Sequence, residues 1–280
     1  MTARQLIRAA TERLLTVSST PQLDAEVLLA HTLQISRSDL LLQTDRELEV
    51  AGFDVLIDRR LTGEPVAYIV GRKEFWGRNF IVSPDVLIPR PDSETLIATT
   101  LEAIDSLGHP ARILEIGTGS GCLGLTILAE RPTTTAKLTD VSPQALAIAR
   151  RNADALAVAD RAEFSEQDLL IGETGTYDIL ISNLPYVPEG WLAQSDEQPD
   201  TRGLPFEPHI ALTGGTDGFD IFRRFFEQLA DNPIAPLIIL EHGDGQSDTL
   251  TDLLRQSLKS TNIESVLDLS GRPRIVVVRL

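Results

Sequence analysis

From about residue 92 onward, short apolar runs alternate along the chain with segments whose apolar residues recur at helical spacing. This alternation is typical of a mostly parallel sheet with helices on both faces. The expected strands are Arg112–Ile116, Ala136–Thr139, Ala162–Phe164, Asp178–Ser182, Leu237–Leu240, Ile263–Asp268 and Arg274–Leu280, and the expected helices are Leu123–Ala129, one that begins at Ser142-Pro143, Asp217–Ala230 and Ser247–Leu258. The last two strands are joined by a link around Ser270–Pro273 that is too short for a parallel crossover. The sequence therefore predicts a doubly wound α/β fold with one antiparallel strand near the edge of its sheet.

The N-terminal part of the chain has a different pattern. Residues 3–16 and 22–34 place apolar side chains near helical spacing, and residues 48–62 do so up to a stop at Gly63-Glu64-Pro65. We therefore expect residues 1–64 to form a small helical bundle.

Two runs rich in β-branched and aromatic residues follow the expected bundle. They are Val66–Val70 and Phe75–Val82, with a Gly-Arg-Lys turn region between them. Such a pair predicts a β-hairpin. Residues 65–91 are accordingly expected to link the helical bundle to an α/β domain at residues 92–280.

The composition excludes several classes of protein. No apolar run approaches the length of about 18 residues that a membrane-spanning helix needs, and Met1–Arg8 is polar and lacks a secretory apolar region. Cys122 is the only cysteine, so no internal disulfide can form, which agrees with a reducing compartment. We expect a cytoplasmic protein that does not associate with membranes.

Negative charge is concentrated in the expected α/β domain. Residues 1–91 carry 11 Lys/Arg and 12 Asp/Glu, so of the totals of 25 and 41, residues 92–280 carry 14 against 29, a net charge of −15. Nucleic-acid affinity rests mainly on Lys and Arg side chains that neutralise phosphates. We therefore expect no stable binding to nucleic acid.

A glycine-rich turn follows the first expected strand of this domain. The segment Ile113–Gly121 leads from a buried strand through the turn into a helix. Glycine permits positive φ and close approach of a ligand to the backbone, and a helix start presents free N–H groups. Asp140 follows Gly117 by 23 residues, at the end of the next strand, and that spacing suits a carboxylate that accepts hydrogen bonds from both hydroxyls of a ribose. The pattern predicts a nucleoside-containing cofactor.

The details of the turn favour S-adenosylmethionine over a dinucleotide. The order Gly117-x-Gly119-x-Gly121 differs from the Gly-x-Gly-x-x-Gly of dinucleotide enzymes. An acid at the end of the first strand, Glu115, is expected to bind the ammonium of a methionine moiety, whereas it would repel a pyrophosphate. Cys122 lies beside the turn without a nearby base, so we interpret it as a packing residue.

A second loop is expected to hold the methyl acceptor. The strand Asp178–Ser182 ends in Asn183-Leu184-Pro185-Tyr186, and in doubly wound folds ligands lie beyond the carboxyl ends of the strands. A planar NH₂ group is a poor nucleophile because its lone pair is delocalised. The Asn183 side-chain oxygen and the Leu184 carbonyl can accept its two hydrogens and turn the lone pair toward the methyl group. Pro185 fixes the turn, and Tyr186 can lie flat against a planar acceptor.

Alignment of the reactants is expected to supply most of the catalysis, since held near-attack geometry can account for roughly 7–11 kcal/mol of a barrier. The sulfonium is already a good leaving group, so neither a metal nor a dedicated base is required. The sequence contains no metal-ligand cluster, and its four histidines are scattered. The proton of the methylated nitrogen can leave late, to water.

These motifs together resemble the HemK/PrmC-type release-factor glutamine methyltransferases, which have the class I, Rossmann-like methyltransferase fold. Two segments carry most of the resemblance, Pro89–Glu94 and the Asn-x-Pro-Tyr loop at residues 183–186. The other similar segments are Asp24–Glu26, Glu64–Ile69, Phe75–Gly77, Val86–Ile88, Glu115–Gly121, Asp140, Phe206–Pro208, Glu241–Gly243 and Asp268–Arg274.

The resemblance implies that the chain uses S-adenosyl-L-methionine to methylate the glutamine of the Gly-Gly-Gln motif in class I peptide-chain release factors. It implies that Asn183–Tyr186 hold the glutamine amide, that Arg90 and Glu94 lie near the mouth of the site, and that the helical domain helps to dock the release factor. The cofactor-binding residues that it implies are Gly117, Thr118, Gly119, Ser120, Gly121 and Asp140, with Asp168 or Leu169 near the adenine. Asn183 is also expected to contact the cofactor.

The second loop departs from the family in one residue, and this leaves alternatives open. The family usually has Asn-Pro-Pro-Tyr, and Leu184 replaces the first proline. Because that position contributes a backbone carbonyl, we expect activity to survive with a less rigid loop.

Asn-Leu-Pro-Tyr also looks like the motif of ribosomal RNA adenine dimethylases, so one alternative is an N6-adenine methyltransferase that stacks Tyr186 on a flipped base of RNA or DNA. The acidic charge argues against it. A non-catalytic binding protein is a further alternative, which the intact motifs disfavour.

Overall fold

The computed structural model describes residues 1–192, 201–258 and 262–280. The chain forms two compact units. Of the described residues, the first unit contains Met1–Arg72 and 201–207, and the second contains Lys73–Leu192, Pro208–258 and 262–280. Within the described ranges, no helix is both long and apolar enough to cross a bilayer.

The first unit is helical, as predicted. Its helices are α1 (Ala3–Leu14), α2 (Pro21–Leu33), α3 (Arg37–Leu42), α4 (Phe53–Leu61) and α5 (Val66–Val70). α1 begins with a capping box, in which the Thr2 side chain accepts from Gln5 N and the Gln5 side chain accepts from Thr2 N. Leu14, Leu28 and Ile57 from three of these helices are fully buried in one apolar core.

The expectation of a strand at Val66–Val70 is wrong, because this segment is the short helix α5. Pro65 precedes it and Gly71, with φ of 72°, ends it in the left-handed conformation. The β-branched residues suggested a strand, but Ile69 is buried in the helical core. Tertiary packing thus overrides the local propensity.

The predicted hairpin exists, but it lies later in the chain. Its strands are β1 (Arg72–Phe75) and β2 (Arg78–Ile81). The turn residues Trp76 and Gly77 both have positive φ, 51° and 69°, as a two-residue type I′ turn requires. The run Phe75–Val82 therefore folds back on itself at a turn that we had not expected.

The second unit contains a seven-stranded sheet of β3 (Arg112–Ile116), β4 (Thr135–Asp140), β5 (Ala162–Glu166), β6 (Ile179–Ser182), β7 (Leu237–Glu241), β8 (Ile263–Leu267) and β9 (Pro273–Arg279). The strand order is β5-β4-β3-β6-β7-β9-β8. β9 pairs antiparallel with both β7 and β8, and the pairs β3/β4, β3/β6, β4/β5 and β6/β7 are parallel. The predicted doubly wound sheet with one antiparallel strand near its edge is confirmed.

Helices cover both faces of this sheet. They are α6 (Glu94–Leu107), α7 (Cys122–Glu130), α8 (Pro143–Ala155), α9 (Glu189–Leu192), α10 (His209–Leu212), α11 (Asp220–Asp231) and α12 (Ser247–Leu258). Neighbouring residues of β3 belong to different cores: Ile113 packs with Leu125 on one face, and Leu114 packs with Phe222 on the other. Strands buried on both faces carry continuous apolar runs, which explains why the sequence revealed them.

Candidate active site

A cavity of about 250 Å³ lies beyond the carboxyl ends of β3, β4 and β6. β4 pairs with one edge of β3, and β6, which comes later in the chain, pairs with the other edge. The strand order therefore reverses beside β3. Ligands of doubly wound folds bind at such a reversal. The predicted site residues that line the cavity are Arg90, Gly117, Thr118, Gly119, Ser120, Asp140, Asp168, Leu169, Asn183, Leu184 and Pro185. Those that do not line it are Glu115, Gly121 and Tyr186.

The glycine turn between β3 and α7, residues 117–121, is termed the cofactor loop here. Gly117, Gly119 and Gly121 have φ of 70°, 55° and 80°, a conformation that costs glycine little and other residues more. Thr118 N donates to Thr139 O at 2.9 Å, which ties the loop to the end of β4. The loop therefore presents its backbone to the cavity.

Asp140 lies at the end of β4 and accepts hydrogen bonds from two backbone amides. Its Oδ2 accepts from Gly119 N at 2.8 Å and its Oδ1 from Ser142 N at 2.9 Å. Burial raises the pKa of the Asp140 carboxyl, and the backbone amides partly oppose that rise. Each carboxylate oxygen can accept a further hydrogen bond. Asp140 can thus hold the cofactor loop and still accept from ribose hydroxyls in the cavity.

The position of Glu115 differs from the expected one. The residue is fully buried under the cofactor loop, where its Oε2 accepts from Thr118 Oγ1 at 2.8 Å and from Gly124 N at 3.0 Å. Burial raises the pKa of this carboxyl to about 8. Glu115 does not line the cavity, and its expected contact with an ammonium stays a prediction. Glu115 supports the loop from below.

Leu169 and Asp168 form the far wall of the cavity. Leu169 is 6% exposed and has φ of 54°, a conformation that costs a non-glycine residue on the order of 1–3 kcal/mol. Gln167 Nε2 donates to Leu169 O at 2.8 Å and helps to hold this conformation. Asp168 Oδ2 accepts from Arg224 Nη2 at 2.5 Å. The wall thus offers an apolar surface next to a carboxylate.

The loop after β6, residues 183–186, is termed the acceptor loop here. Asn183 lines the cavity, and its Nδ2 donates to Ser93 Oγ at 3.4 Å. Leu184 is 2% exposed and packs into the same core as Leu180. Packing therefore holds Leu184 in place, although we expected a less rigid loop because leucine replaces the first proline of the family motif.

The two loops are close to each other. Leu184 Cδ2 lies 3.7 Å from the position that a Cβ atom at Gly117 would occupy. Ile116 pairs with Ser182 at the ends of β3 and β6, so the residues that follow each strand face one cavity. A group held at Asn183 and a group held at Gly117 can therefore approach each other.

Tyr186 is held from outside the cavity. Its carbonyl oxygen accepts from Gln246 Nε2 at 2.9 Å, and its ring packs against the core beneath the acceptor loop. Burial raises the pKa of the phenol, and the nearby Glu241 carboxyl raises it further. The phenol is therefore neutral and cannot serve as a base near neutral pH. Its expected stacking against a planar acceptor stays a prediction.

Three buried residues near the acceptor loop were missed as functional residues. They are Ser93, which lines the cavity, and Glu241 and Arg274, which do not. The side chains of Ser93 and Asn183 form hydrogen bonds with the Glu241 carboxyl, and burial raises the pKa of that carboxyl to about 7. Arg274 lies beside it and forms an ion pair with Asp92 at 3.0 Å between Nη2 and Oδ2. A polar residue directly after the apolar run of β7 was the available signal for Glu241.

Cys122, Glu94 and His242 lie outside the cofactor loop and the acceptor loop. Burial raises the pKa of the Cys122 thiol to about 12, which agrees with a packing residue. Glu94 Oε1 accepts from Trp76 N at 3.3 Å. Burial lowers the pKa of His242, which keeps it neutral. The described part of the chain contains no group of three or more His, Cys, Asp or Glu residues that could hold a metal ion.

Two parts of the chain match known protein families. Residues 5–71 match the family described as the PrmC N-terminal domain, and residues 92–194 match the family described as the methyltransferase small domain.

Several known proteins are similar to this chain over nearly its whole length. The release factor glutamine methyltransferase of Koribacter versatilis is 39% identical over 100% of this chain and 99% of its own length. That of Nitratidesulfovibrio vulgaris is 38% identical over 99% of this chain and 95% of its own length. Among solved structures, the catalytic domain of hMettl16 in complex with the MAT2A 3′UTR hairpin 1 has a TM-score of 0.59 at 15% identity and covers 80% of each chain. This last likeness shows the fold alone.

Proposed function

This chain belongs to the release factor glutamine methyltransferase family, and from that membership we propose that it methylates the side-chain amide nitrogen of the glutamine in the Gly-Gly-Gln motif of class I peptide-chain release factors. The methyl donor is S-adenosyl-L-methionine, and the transfer is in line. The observation that carries the proposal is the shared cavity of the two loops, with Leu184 Cδ2 only 3.7 Å from a Cβ position at Gly117.

The residues of the cofactor side fit S-adenosyl-L-methionine. When bound, this cofactor supplies an electrophilic methyl group on a sulfonium. The positive-φ backbone of Gly117–Gly121 allows close approach, and Asp140 can accept from the ribose hydroxyls. Asp168 and Leu169 would hold the adenine, the first as a hydrogen-bond acceptor and the second as an apolar surface. The acidic net charge of this region favours a cation over a phosphate-bearing cofactor.

The acceptor side would act by orientation. A hydrogen bond from Asn183 Nδ2 to Ser93 Oγ assigns the nitrogen end of that side chain to the protein. Asn183 Oδ1 and the Leu184 carbonyl can then accept the two hydrogens of a glutamine amide, which leaves its lone pair directed at the methyl group. Such alignment can supply roughly 7–11 kcal/mol. Because Tyr186 is not a base at neutral pH, the proton leaves to water after the nitrogen is methylated.

The helical unit and the surroundings complete the proposal. Residues 5–71 match the PrmC N-terminal domain, and we assign this unit to release-factor docking. The substrate class places the enzyme in the cytoplasm. The charge of −15 on residues 92–280 supports a protein substrate, without stable binding to nucleic acid or membrane.

The test is incubation of the purified protein with labelled S-adenosyl-L-methionine and purified class I release factors, followed by peptide mass mapping. We expect one added methyl group on the glutamine of the Gly-Gly-Gln motif and none on a release factor with Gln→Ala at that position. A parallel reaction with RNA and DNA tests the adenine alternative. Label in nucleic acid together with unmodified release factor would refute the proposal.

A further inference from the structure

A group of buried polar side chains lies directly behind the acceptor loop. Glu241, at the end of β7, is 1% exposed, and Ser93, just before α6, is 3% exposed. The side chains of Ser93 and Asn183 both form hydrogen bonds with the Glu241 carboxyl, and Asn183 Nδ2 also donates to Ser93 Oγ at 3.4 Å. Three segments that are far apart in the sequence thus meet at one end of the Asn183 carboxamide.

The orientation of that carboxamide decides whether the acceptor loop can work. The two ends of an amide side chain are nearly equal in size but opposite in hydrogen-bonding character. If Asn183 were flipped, its NH₂ group would face the NH₂ group of the substrate, and neither could accept. Size and packing cannot prevent this flip, so a neighbour that distinguishes N–H from oxygen is required.

Glu241 can make that distinction. An ionised carboxylate only accepts hydrogen bonds, so it binds Asn183 Nδ2 and repels Oδ1. A serine hydroxyl alone can turn either way. The Ser93 hydroxyl, however, donates a hydrogen bond to the Glu241 carboxylate, which leaves its lone pairs free to accept from Asn183 Nδ2. The hydrogen bonds from Asn183 Nδ2 to Ser93 Oγ and from Ser93 Oγ to the Glu241 carboxylate therefore run in one fixed direction.

We propose that Glu241 and Ser93 are positioning residues that hold the nitrogen of Asn183 and thereby turn its oxygen toward the amide that is methylated. This inference rests on the proposed function. Glu241 and Arg274 do not line the cavity, so they act through Asn183. Ser93 does line the cavity, and it contacts the Asn183 side chain. Arg274 stabilises the ionised form of Glu241, and it is held in turn by Asp92 at 3.0 Å and by the His242 carbonyl at 3.3 Å.

The surroundings of Glu241 predict how its orienting effect depends on pH. The charged groups near it are Arg274, which lowers the pKa of Glu241, and Asp92, which raises it. The pKa shifts of His242 and Tyr186 keep both of these neighbours neutral. With burial as the largest cause, the pKa of Glu241 is about 7. The ionised, orienting form should therefore predominate above pH 7.

The inference is tested by measuring kcat in variants that exchange the hydrogen-bond donor at residue 183 and the acceptor at residue 241. In Glu241→Gln, the orienting charge is lost, and we expect kcat to fall at least tenfold while the dissociation constant for S-adenosyl-L-methionine changes less than twofold. In Asn183→Asp, two carboxylates face each other, and kcat should fall more than 100-fold. The double variant Asn183→Asp/Glu241→Gln restores a donor opposite an acceptor, and it should be at least tenfold faster than Asn183→Asp. A double variant that binds cofactor but is no faster than Asn183→Asp would overturn the inference.

A second measurement does not depend on any substrate. The side-chain amide signals of Asn183 can be identified in ¹⁵N-labelled protein by their absence in Asn183→Asp. We expect them to shift with pH, with a midpoint near the pKa of about 7, and to lose this shift in Glu241→Gln. Signals that titrate equally in both proteins would overturn the positioning role. If they behave as expected while no release factor is methylated, the proposed function fails and the positioning role stands.

Discussion

The cofactor loop and the acceptor loop lie at the ends of neighbouring strands but are held in different ways. The cofactor loop is fixed by hydrogen bonds from its own backbone amides, such as Gly119 N to Asp140 Oδ2 at 2.8 Å and Thr118 N to Thr139 O at 2.9 Å, whose partners lie at the end of the next strand. The acceptor loop is fixed by side chains from remote segments, since Ser93 and Asn183 are 90 residues apart and Gln246 and Tyr186 are 60 apart. Damage to the first loop should therefore weaken cofactor binding, and damage to the second should slow methyl transfer at saturating cofactor.

Asn183→Ala should produce the largest effect. Loss of the oriented acceptor should lower kcat by about 100- to 1000-fold, the range for one oriented polar group in an active site. The dissociation constant for S-adenosyl-L-methionine should change less than twofold, because other residues hold the cofactor. Steady-state kinetics with saturating cofactor and isothermal calorimetry separate the two quantities.

Asn232→Ala is the matched control for Asn183→Ala. Its Nδ2 donates to Glu173 O at 2.9 Å, away from the residues that line the cavity. We expect kcat to stay within twofold of wild type. If Asn183→Ala instead weakened cofactor binding as much as it slowed turnover, it would contradict the proposal that one loop binds the cofactor and the other orients the acceptor.

Asp140→Ala should show the opposite pattern. Loss of its ribose contacts should weaken cofactor binding by about 1.5–3 kcal/mol, the value for hydrogen bonds to a charged group, or about 10- to 150-fold. Turnover at saturating cofactor should fall only a few-fold. Asp160→Ala, an exposed acid in the same unit, is the control and should leave the dissociation constant unchanged. An unaltered constant in Asp140→Ala would show that this acid only braces the loop.

Gly124→Ala tests how tightly the cofactor loop is packed. A Cβ atom at this position would lie 2.4 Å from Glu115 Oε2 and 3.2 Å from Leu138 Cδ2. Overpacking of this kind typically costs about 1–3 kcal/mol, so thermal unfolding of the variant should occur at lower temperature and cofactor binding should weaken. Gly190→Ala, where no atom of the described residues beyond its own helix backbone and chain neighbours lies within 4 Å of the added Cβ, should change neither. If the two variants unfolded at the same temperature and bound the cofactor equally well, the residues beneath the cofactor loop would not be tightly packed.

The same difference between the loops explains how much the sequence could predict. The strand, turn and acid at Glu115–Gly121 and Asp140 form a local pattern, and the structure brings the loop and Asp140 together at the cavity. The partners of Asn183 could not be predicted, because Ser93 and Glu241 reach it only through strand order and helix packing. Leu184 illustrates the same limit, since its burial depends on the core between α11 and the sheet.

Val66–Val70 and Glu115 show how packing limits a prediction made from sequence alone. Val66–Val70 has the β-branched composition of a strand, yet Pro65 and Gly71 delimit a helix whose Ile69 enters the helical core. Glu115 was assigned to an ammonium by its place in the sequence alone. Its access to ligand depends on Gly124 N and Thr118 Oγ1, which bind its carboxyl under the loop.

The last expected effect concerns Glu115, the buried acid near the end of β3. Glu115 has a pKa of about 8 when folded and an ordinary value of 4.5, so the folded protein binds its proton more tightly. Its contribution to stability is complete below pH 4.5 and is lost as the pH rises to about 8. Glu115→Gln mimics the neutral acid and keeps an acceptor for Thr118 and Gly124.

The stability of Glu115→Gln relative to wild type should therefore improve between pH 5 and pH 8, by about 1 kcal/mol or more, since one pKa unit corresponds to about 1.4 kcal/mol. Other titrating groups are common to both proteins and cancel in this difference, which thermal unfolding at the two pH values measures. Cofactor affinity should change little, because the amide supports the loop as the neutral acid does. A large loss of affinity in Glu115→Gln would show that the ionised carboxylate of Glu115 is needed on the cofactor side.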